Sequence, residues 1–366
     1  MFWMYAGFIL LVLALLALDL GVFHRKAHVV SVKEALGWSA FWIALGLAFS
    51  GFIYLGYENH WLGLGLTPDM MTLRPVAVEG LGTVYNDGAS ALVKYVTGYL
   101  VEKSLAVDNI FVISMIFTFF AVPALYQHRV LFWGILGALI LRGMMIAAGA
   151  RMIQEFSWII YVFGGFLILT GIKMLLLKEG ETDPNKNLVV RATRKLFPVT
   201  ERFHGEHFFV RAGTHASHEA ETPGAAVVAD RVVDAAKAGT LLATPLLLAL
   251  VMVEFTDLIF AVDSIPAIFA ITADPFLVFT SNVFAIPGLR SLYFALAGMI
   301  DSFRYLKVAL AVVLMVVGVK MMTHTWLKAM LGEGFNLYLL AVVLSILAAG
   351  VVASLWKSRS EARATQ

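Results

Sequence analysis

The chain contains no cysteine among its 366 residues. Disulfides, thiolate-bound zinc and iron–sulfur clusters are thereby excluded, since each needs sulfur from the protein. Charge is scarce as well: Asp, Glu, Lys and Arg make up 14% of the sequence, where a soluble domain carries about a quarter. The net charge of +2 is spread over short loops. It forms no basic surface of the kind a nucleic acid binds, so no nucleic-acid partner is expected. Nucleophile-elbow, P-loop and zinc-protease motifs are missing. The chain is not expected to be an enzyme, and without an ATPase motif any uphill transport must draw on an ion gradient. Strand-like alternation is absent, which argues against an outer-membrane barrel. The N-terminal stretch MFWMYAGFILLVLALLALDL lacks the basic n-region and small-residue cleavage site of a removable signal. It reads instead as a first membrane helix.

What is abundant is apolar sequence, 60% of all residues. Several runs reach the roughly 20 residues that cross a bilayer as helix. They predict an all-α, polytopic membrane protein with about nine transmembrane helices, over roughly 2–22, 37–57, 90–122, 130–150, 157–177, 240–272, 279–300, 305–323 and 335–356. The third and sixth would each run about 48 Å as unbroken helix, against a hydrocarbon core of about 30 Å. They must tilt, project or break. The flanks of spans one, three, five, seven and nine carry the Lys and Arg, including Arg25, Arg129, Arg191, Arg304 and Arg359. That bias puts the C-terminus in the cytoplasm and the N-terminus outside, with the lipid bilayer as the protein's first partner.

A duplication runs through the middle. AVDNI at 106–110 matches AVDSI at 261–265, ALILRGM matches AIPGLRS, and GIKM (Lys173) matches GVKM (Lys320), in the same order. Spans 3–5 therefore resemble spans 6–8. An odd number of spans per unit gives an inverted-topology repeat, a common plan among secondary transporters. The expected segments are 1–89 (two spans and an outer loop), 90–178 (first repeat), 179–239 (cytoplasmic loop), 240–323 (second repeat) and 324–366 (last span and tail).

Five acids fall inside these spans: Glu102 and Asp108 in the first copy, Glu254, Asp257 and Asp263 in the second. Each charge at the bilayer centre costs about 3 kcal/mol on insertion scales, so such groups are read as functional. Glu254 and Asp257 share a helix face, whereas Asp263 points away from Glu254 and Asp108 from Glu102. Breaks near 104–108 and 258–264 would gather them. Pro266 supports the second, because it leaves the Val262 carbonyl without its donor. With neutral oxygens from Asn109, Ser264 and Asn282, the set would suit a hard divalent cation such as Mg, Ca or Mn. The competing reading is structural: the acids neutralise Arg142 and Arg290 as ion pairs. Counted this way, the two arginines leave a surplus of three negative charges.

Weaker candidates have plain readings. Asp19 sits near a span end. Lys94, Lys173 and Lys320 are placed where lysines snorkel. Met115, Met144, Met145 and Met252 are ordinary packing residues. His215 and His218 lie in GTHASHEAETPGAAVVAD, which reads as flexible surface loop.

The words LALDLGVFHRKAHVVS, GYLVEKSLAVDNIFV, YQHRVLFWGILGALILRG, RFHGEHFFV, VEFTDLIFAVDSIPAIFAIT, DPFLVFTSNVFA and GLRSLYFAL run from span one to span seven. They resemble the TerC family of integral membrane proteins, and within it the Alx-like branch. That resemblance implies an exporter in the bacterial inner (plasma) membrane whose cargo is Mn²⁺, with no prosthetic group; because moving a dication out against an inside-negative potential is uphill, protons are the expected counter-substrate. It also implies functional acids at Glu102, Asp108, Glu254, Asp257 and Asp263. A calcium or general divalent-cation/proton exchanger and a non-transporting assembly or metalation factor are the alternatives; the oligomeric state stays open. Two departures stand out: Pro287 replaces an aliphatic residue before GLRSL, and 213–239 looks like an insertion.

Overall fold

The computed structural model describes residues 2–18, 31–72, 75–80, 82–156, 158–176, 188–218, 220, 229–296, 304–323, 326 and 335–364. Helix dominates. The long elements are α1 (Phe2–Leu18), α2 (Val32–Glu58), α3 (Gly88–Phe119), α4 (Ala124–Glu155) and α5 (Ile159–Leu176). The short α6 (Leu188–Leu196) and α7 (Arg231–Ala235) precede α8 (Pro245–Phe269), α9 (Pro275–Ala285), α10 (Leu289–Leu296), α11 (Arg304–Met322) and α12 (Phe335–Ala364). Among the described residues, two short two-stranded antiparallel sheets are the exceptions to an all-α chain: β1 (Val76–Val78) with β2 (Gly82–Val84), and β3 (Phe209–Arg211) with β4 (Leu241–Ala243).

Six described helices are long and apolar enough to cross a bilayer: α2, α4, α5, α8, α11 and α12. The chain is a helical multi-pass membrane protein, though nine full spans are not reached on that measure. α1 has only 17 residues. α3 has 32, but Lys94, Glu102, Lys103 and Asp108 interrupt its apolar sequence. Asp19 lies outside the described residues.

The helix starts are written locally. Asp87 accepts the Ser90 N–H at 2.7 Å at the head of α3. Asp274 accepts the Phe276 and Leu277 N–H groups at 3.0 and 3.4 Å, and Pro275 fills the first helical position of α9. Such caps satisfy amides that have no partner in the first turn.

Two expectations about breaks are corrected. α3 and α8 are continuous, so no break occurs at 104–108 or 258–264. Pro266 lies in the last turn of α8, where a missing N–H removes one bond and the helix still reaches Phe269. The break falls instead in expected span seven, between α9 and α10. Pro287 has no N–H to offer the Val283 carbonyl, which receives the Ile286 N–H at 3.2 Å. The helix restarts at Leu289, one residue before Arg290.

Small residues set the packing. A Cβ added to Gly318 of α11 would sit 2.8 Å from the Gly164 carbonyl of α5, and one on Gly171 of α5 would sit 2.7 Å from the Ala311 carbonyl of α11. α4 lies along α8, with Gly134 against Val253, Gly137 against Glu254 and Gly149 against Phe269. α3 in turn packs on α2, α8 and α9. Glycine lets backbones approach this closely in membrane bundles.

The polar insert is not simply loose surface. β3, β4 and α7 enclose a small core of Val210, Ala212, Val233 and Leu242. It is tied to the bundle by Arg129, which meets Glu206 at 2.8 Å and lies 5.5 Å from the centre of the Phe208 ring. Residues 221–228 lie outside the described residues, as does the side chain of His218.

Candidate functional site

The acids of α3 and α8 meet at one cation supplied by α4. The Arg142 side chain is 3% exposed. Its Nη1 contacts Glu102 Oε1, while its Nε and Nη2 donate to Asp257 Oδ2 and Oδ1 at 3.2 and 2.8 Å. Glu102 and Asp257 are the residues the duplication aligns, so one guanidinium bridges equivalent positions of the two copies. The structural ion-pair reading is therefore correct for Arg142. Arg holds two carboxylates because its planar fork presents donors on two edges.

Glu254 is one turn before Asp257 on the same face of α8. Its carboxylate occupies the space left by the missing side chain of Gly137. Oε2 of Glu102 and Oε2 of Glu254 are both buried and accept no hydrogen bond from the described residues. Unmatched carboxylate oxygens in a dry interior are costly and call for an explanation. Of the predicted neutral ligands, Ser264 Oγ and Asn282 Oδ1 are buried with no hydrogen-bond partner among the described residues; the Asn282 amide donates to the Val278 carbonyl at 2.9 Å. Asn109 is buried in α3.

Not every predicted residue is gathered here. Asp263 faces α5, where Thr170 Oγ1 donates to it at 3.2 Å and Lys173 lies within electrostatic reach. The side chain of Asp108 lies outside the described residues. Val262 is on a continuous helix with its side chain exposed, and no kink turns its carbonyl toward the acids. Arg290 is buried at the start of α10. Among the described residues no three His, Cys, Asp or Glu side chains form a ready-made metal cage. His215 is exposed on the insert, far in character from such a cage.

Lys103 and Asp69 were not singled out by sequence, and Lys94 and Lys320 were read as snorkelling. Lys103, buried beside Glu102, donates at 3.2 Å to the carbonyl of Ala285, the last residue of α9 before the break. Lys320 donates to the Ala270 carbonyl at the end of α8. Neither Lys94 nor Lys320 snorkels. Lys94 Nζ donates to Asp69 Oδ2 at 2.8 Å, Thr72 Oγ1 at 2.8 Å and Asn86 Oδ1 at 2.5 Å, with no exposed side-chain surface. The signal available was a lysine opposite an acid-bearing loop, but nothing local paired it with Asp69.

Asp69 is the hub of that network. Oδ1 accepts the Met71 and Ala273 N–H groups at 2.9 and 2.8 Å. Oδ2 accepts Lys94, Thr272 Oγ1 at 2.6 Å and Asn86 Nδ2 at 3.2 Å. Burial alone would raise its pKa, but the Lys94 charge and these donors outweigh it and hold the carboxyl well below the usual range. Asp274, 3.4 Å from the same Asn86 amide, is pushed up to about 6 by burial and by the Asp69 charge. The 59–87 segment is thereby locked onto the turn between α8 and α9. Gly65 allows the fit: at φ +82°, it accepts the Tyr85 and Asn86 N–H groups at 2.8 and 3.2 Å, and any side chain would strike the Asn86 carbonyl.

Residues 87–362 match the integral membrane protein TerC family. The chain is 48% identical over 356 residues to STKORF319, an uncharacterized membrane protein of Myxococcus xanthus, covering 97% of this chain and 93% of that one. It is 42% identical over 347 residues to a Salmonella typhi protein provisionally named membrane-bound redox modulator Alx, covering 93% of each. The Escherichia coli K12 protein of that name is 40% identical over 347 residues, covering 93% of this chain and 94% of that one. No solved structure matches.

Proposed function

The chain belongs to the TerC family of integral membrane proteins and resembles its Alx members, and we propose that it is a secondary exporter of Mn²⁺ that works in exchange for protons. The observation that carries this reading is the acidic wall of Glu102, Glu254 and Asp257, in which two buried carboxylate oxygens accept no hydrogen bond from the described residues. A static tie for one guanidinium needs one carboxylate. A third acid, held in a pocket that only a glycine leaves open, fits an additional cation better. The oxygen-only chemistry suits a hard dication.

An inverted repeat is supported by reciprocal packing. The spacing that aligns GIKM with GVKM carries Gly164 onto Ala311 and Gly171 onto Gly318. Exchanging the copies thus turns the Gly164–Gly318 approach into the Ala311–Gly171 approach, and both occur. In the same exchange α4 on α8 becomes α9 on α3, which also occurs. Two halves related in this way can rock about the acids between them and open the site to alternate sides. Metal enters from the cytoplasm, with Asp108 and Asp263 along its path. Moving it against an inside-negative potential costs about 2.3 kcal/mol per charge per 100 mV, which proton entry offsets. We place the protein in the inner membrane, C-terminus inside, with no prosthetic group and no enzymatic step. The redox role in the name of the relatives has no thiol to work through here, since cysteine is absent.

The test is efflux of Mn²⁺ from proteoliposomes of purified protein under an imposed pH gradient. Flux should rise with the gradient and fall to background in Glu102→Gln and Asp257→Asn proteins. Equal flux of Ca²⁺ would favour a general exchanger. No flux, together with stable complexes with other membrane proteins, would favour an assembly factor and end the transporter reading.

A further inference from the structure

We propose that Arg142 is a tethered counter-cation: its guanidinium occupies the Glu102–Asp257 pair while the carrier is empty, and it shifts to Glu254 when a dication binds. The inference rests on the transport reading above and divides the roles of the three acids.

Arg142 engages Oε1 of Glu102 and both oxygens of Asp257. A divalent ion gathers about six oxygens, so it cannot share these atoms with a guanidinium already bonded to them. Binding at this pair therefore requires the guanidinium to leave. It cannot leave for lipid or for an unpaired position, because an uncompensated buried charge costs several kcal/mol. An acceptor stands ready. Glu254 is three residues before Asp257, roughly 4.5 Å along the axis of α8. Its Oε2 is buried and accepts no hydrogen bond from the described residues. Gly137, on the same helix as Arg142, leaves the room in which that carboxylate sits. Since α4 and α8 run side by side here, a move of one turn keeps the Arg142 side chain between them.

Charge favours the exchange in both states. In the loaded state two positive charges of the metal face Glu102 and Asp257, and Arg142 faces Glu254. In the empty state Arg142 screens Glu102 from Asp257. Without it, two bare carboxylates from opposite halves would repel as the empty carrier reorients. Arg142 is thus a positioning residue for the return step, not a ligand of the cargo.

The experiment measures Mn²⁺ binding to detergent-purified protein, and separately net efflux and Mn²⁺/Mn²⁺ exchange in proteoliposomes. Arg142→Gln should bind Mn²⁺ about tenfold more tightly or better, within the usual span of coupling between linked sites. Its net efflux should fall by a similar factor while exchange, which never needs the empty carrier, continues. Glu254→Gln should weaken binding in the otherwise native protein and leave it unchanged in the Arg142→Gln background, where no guanidinium needs a seat. Weaker binding by Arg142→Gln, or equal loss of net efflux and exchange, would make Arg142 a structural tie and overturn the proposal. A further loss from Glu254→Gln in the double variant would make Glu254 a ligand and overturn it too. If Arg142→Gln does not yield monodisperse protein, Arg142→Lys keeps the charge but not the fork: binding about threefold tighter supports the proposal, and unchanged or weaker binding overturns it. Absence of Mn²⁺ binding by the native protein would instead refute the transport reading itself.

Discussion

Asn in place of Asp69 should unlatch the segment 59–87 from the bundle. The side chain keeps its shape but loses its charge and one acceptor. In the native protein five donors converge on the carboxylate, and Lys94 spends all three of its protons on Asp69, Thr72 and Asn86. Both members of the ion pair have 0% exposed side chain. Removing one partner of such a pair costs about 3–5 kcal/mol, because the other charge stays buried. Summing five charge-assisted bonds would give far more, but they share one group and are not additive. Thermal unfolding in detergent should then shift down by about 10 °C, taking roughly 2–4 °C per kcal/mol. Several scan rates are needed, since unfolding of such proteins is often irreversible. Lys94→Met in the same background should recover most of the loss, because a neutral pair replaces a broken one. A shift under about 2 °C in Asp69→Asn, or a second variant that adds to the loss, would refute the reasoning. The pH dependence has a fixed sign. Asp69 has a depressed folded pKa, so its contribution is present above the unfolded value of about 3.9 and fades only as pH falls toward the lower folded value. The latch holds through the whole neutral range.

Asp274 carries the opposite sign: its folded value of about 6 exceeds the unfolded one, so its contribution is full below about pH 4 and is lost as pH rises through 6. Asp274→Asn keeps an equally good helix cap, and should raise the unfolding temperature at pH 8 and flatten the profile between pH 4 and 6; an unchanged profile would count against it. Gly137→Ala should push the Glu254 carboxylate out of its pocket, changing Mn²⁺ affinity while costing under about 2 kcal/mol in stability, since the group displaced is the tip of a flexible chain. Gly318→Ala drives a methyl against the Gly164 carbonyl and the Ile168 backbone nitrogen and should cost about 1–3 kcal/mol. Gly165→Ala, with nothing within 4 Å, should be neutral, and equal effects of the two would disprove the α5–α11 contact.

The long apolar runs made the helices legible, because length and composition alone report a span. The breaks were not. Pro266 and Pro287 look alike in sequence, but one falls in a final turn and the other, followed by Gly288, falls between α9, which Asp274 caps, and α10, which begins at Leu289. The depth of Lys94 was equally hidden. A lysine near a span end snorkels if water lies beyond it, and here a folded segment lies there instead. Its partners, Asp69 and Asn86, come from that segment, and Thr272 joins from 203 residues beyond Asp69. Rules of spacing within one helix carry no information about that.

The same limit applies to the acids, and it changes the argument for their role. Counting only Arg142 and Arg290 as deep cations left a surplus of three negative charges. Lys103 and Lys320 are also buried, 8% and 3% exposed, so five acids face four cations and the surplus shrinks to one. Charge balance alone no longer demands a dication. What restores the demand is where the cations point. Lys103 and Lys320 are turned to the backbone carbonyls of Ala285 and Ala270, at the ends of α9 and α8. They stabilise helix termini, as cations do near the negative ends of helix dipoles. In the acidic wall of α3 and α8, Arg142 is shared between two carboxylates while a third stands beside them. The duplication showed which acids correspond; only the fold shows that a single guanidinium is shared between Glu102 and Asp257, at a place where α3 of the first copy and α8 of the second meet.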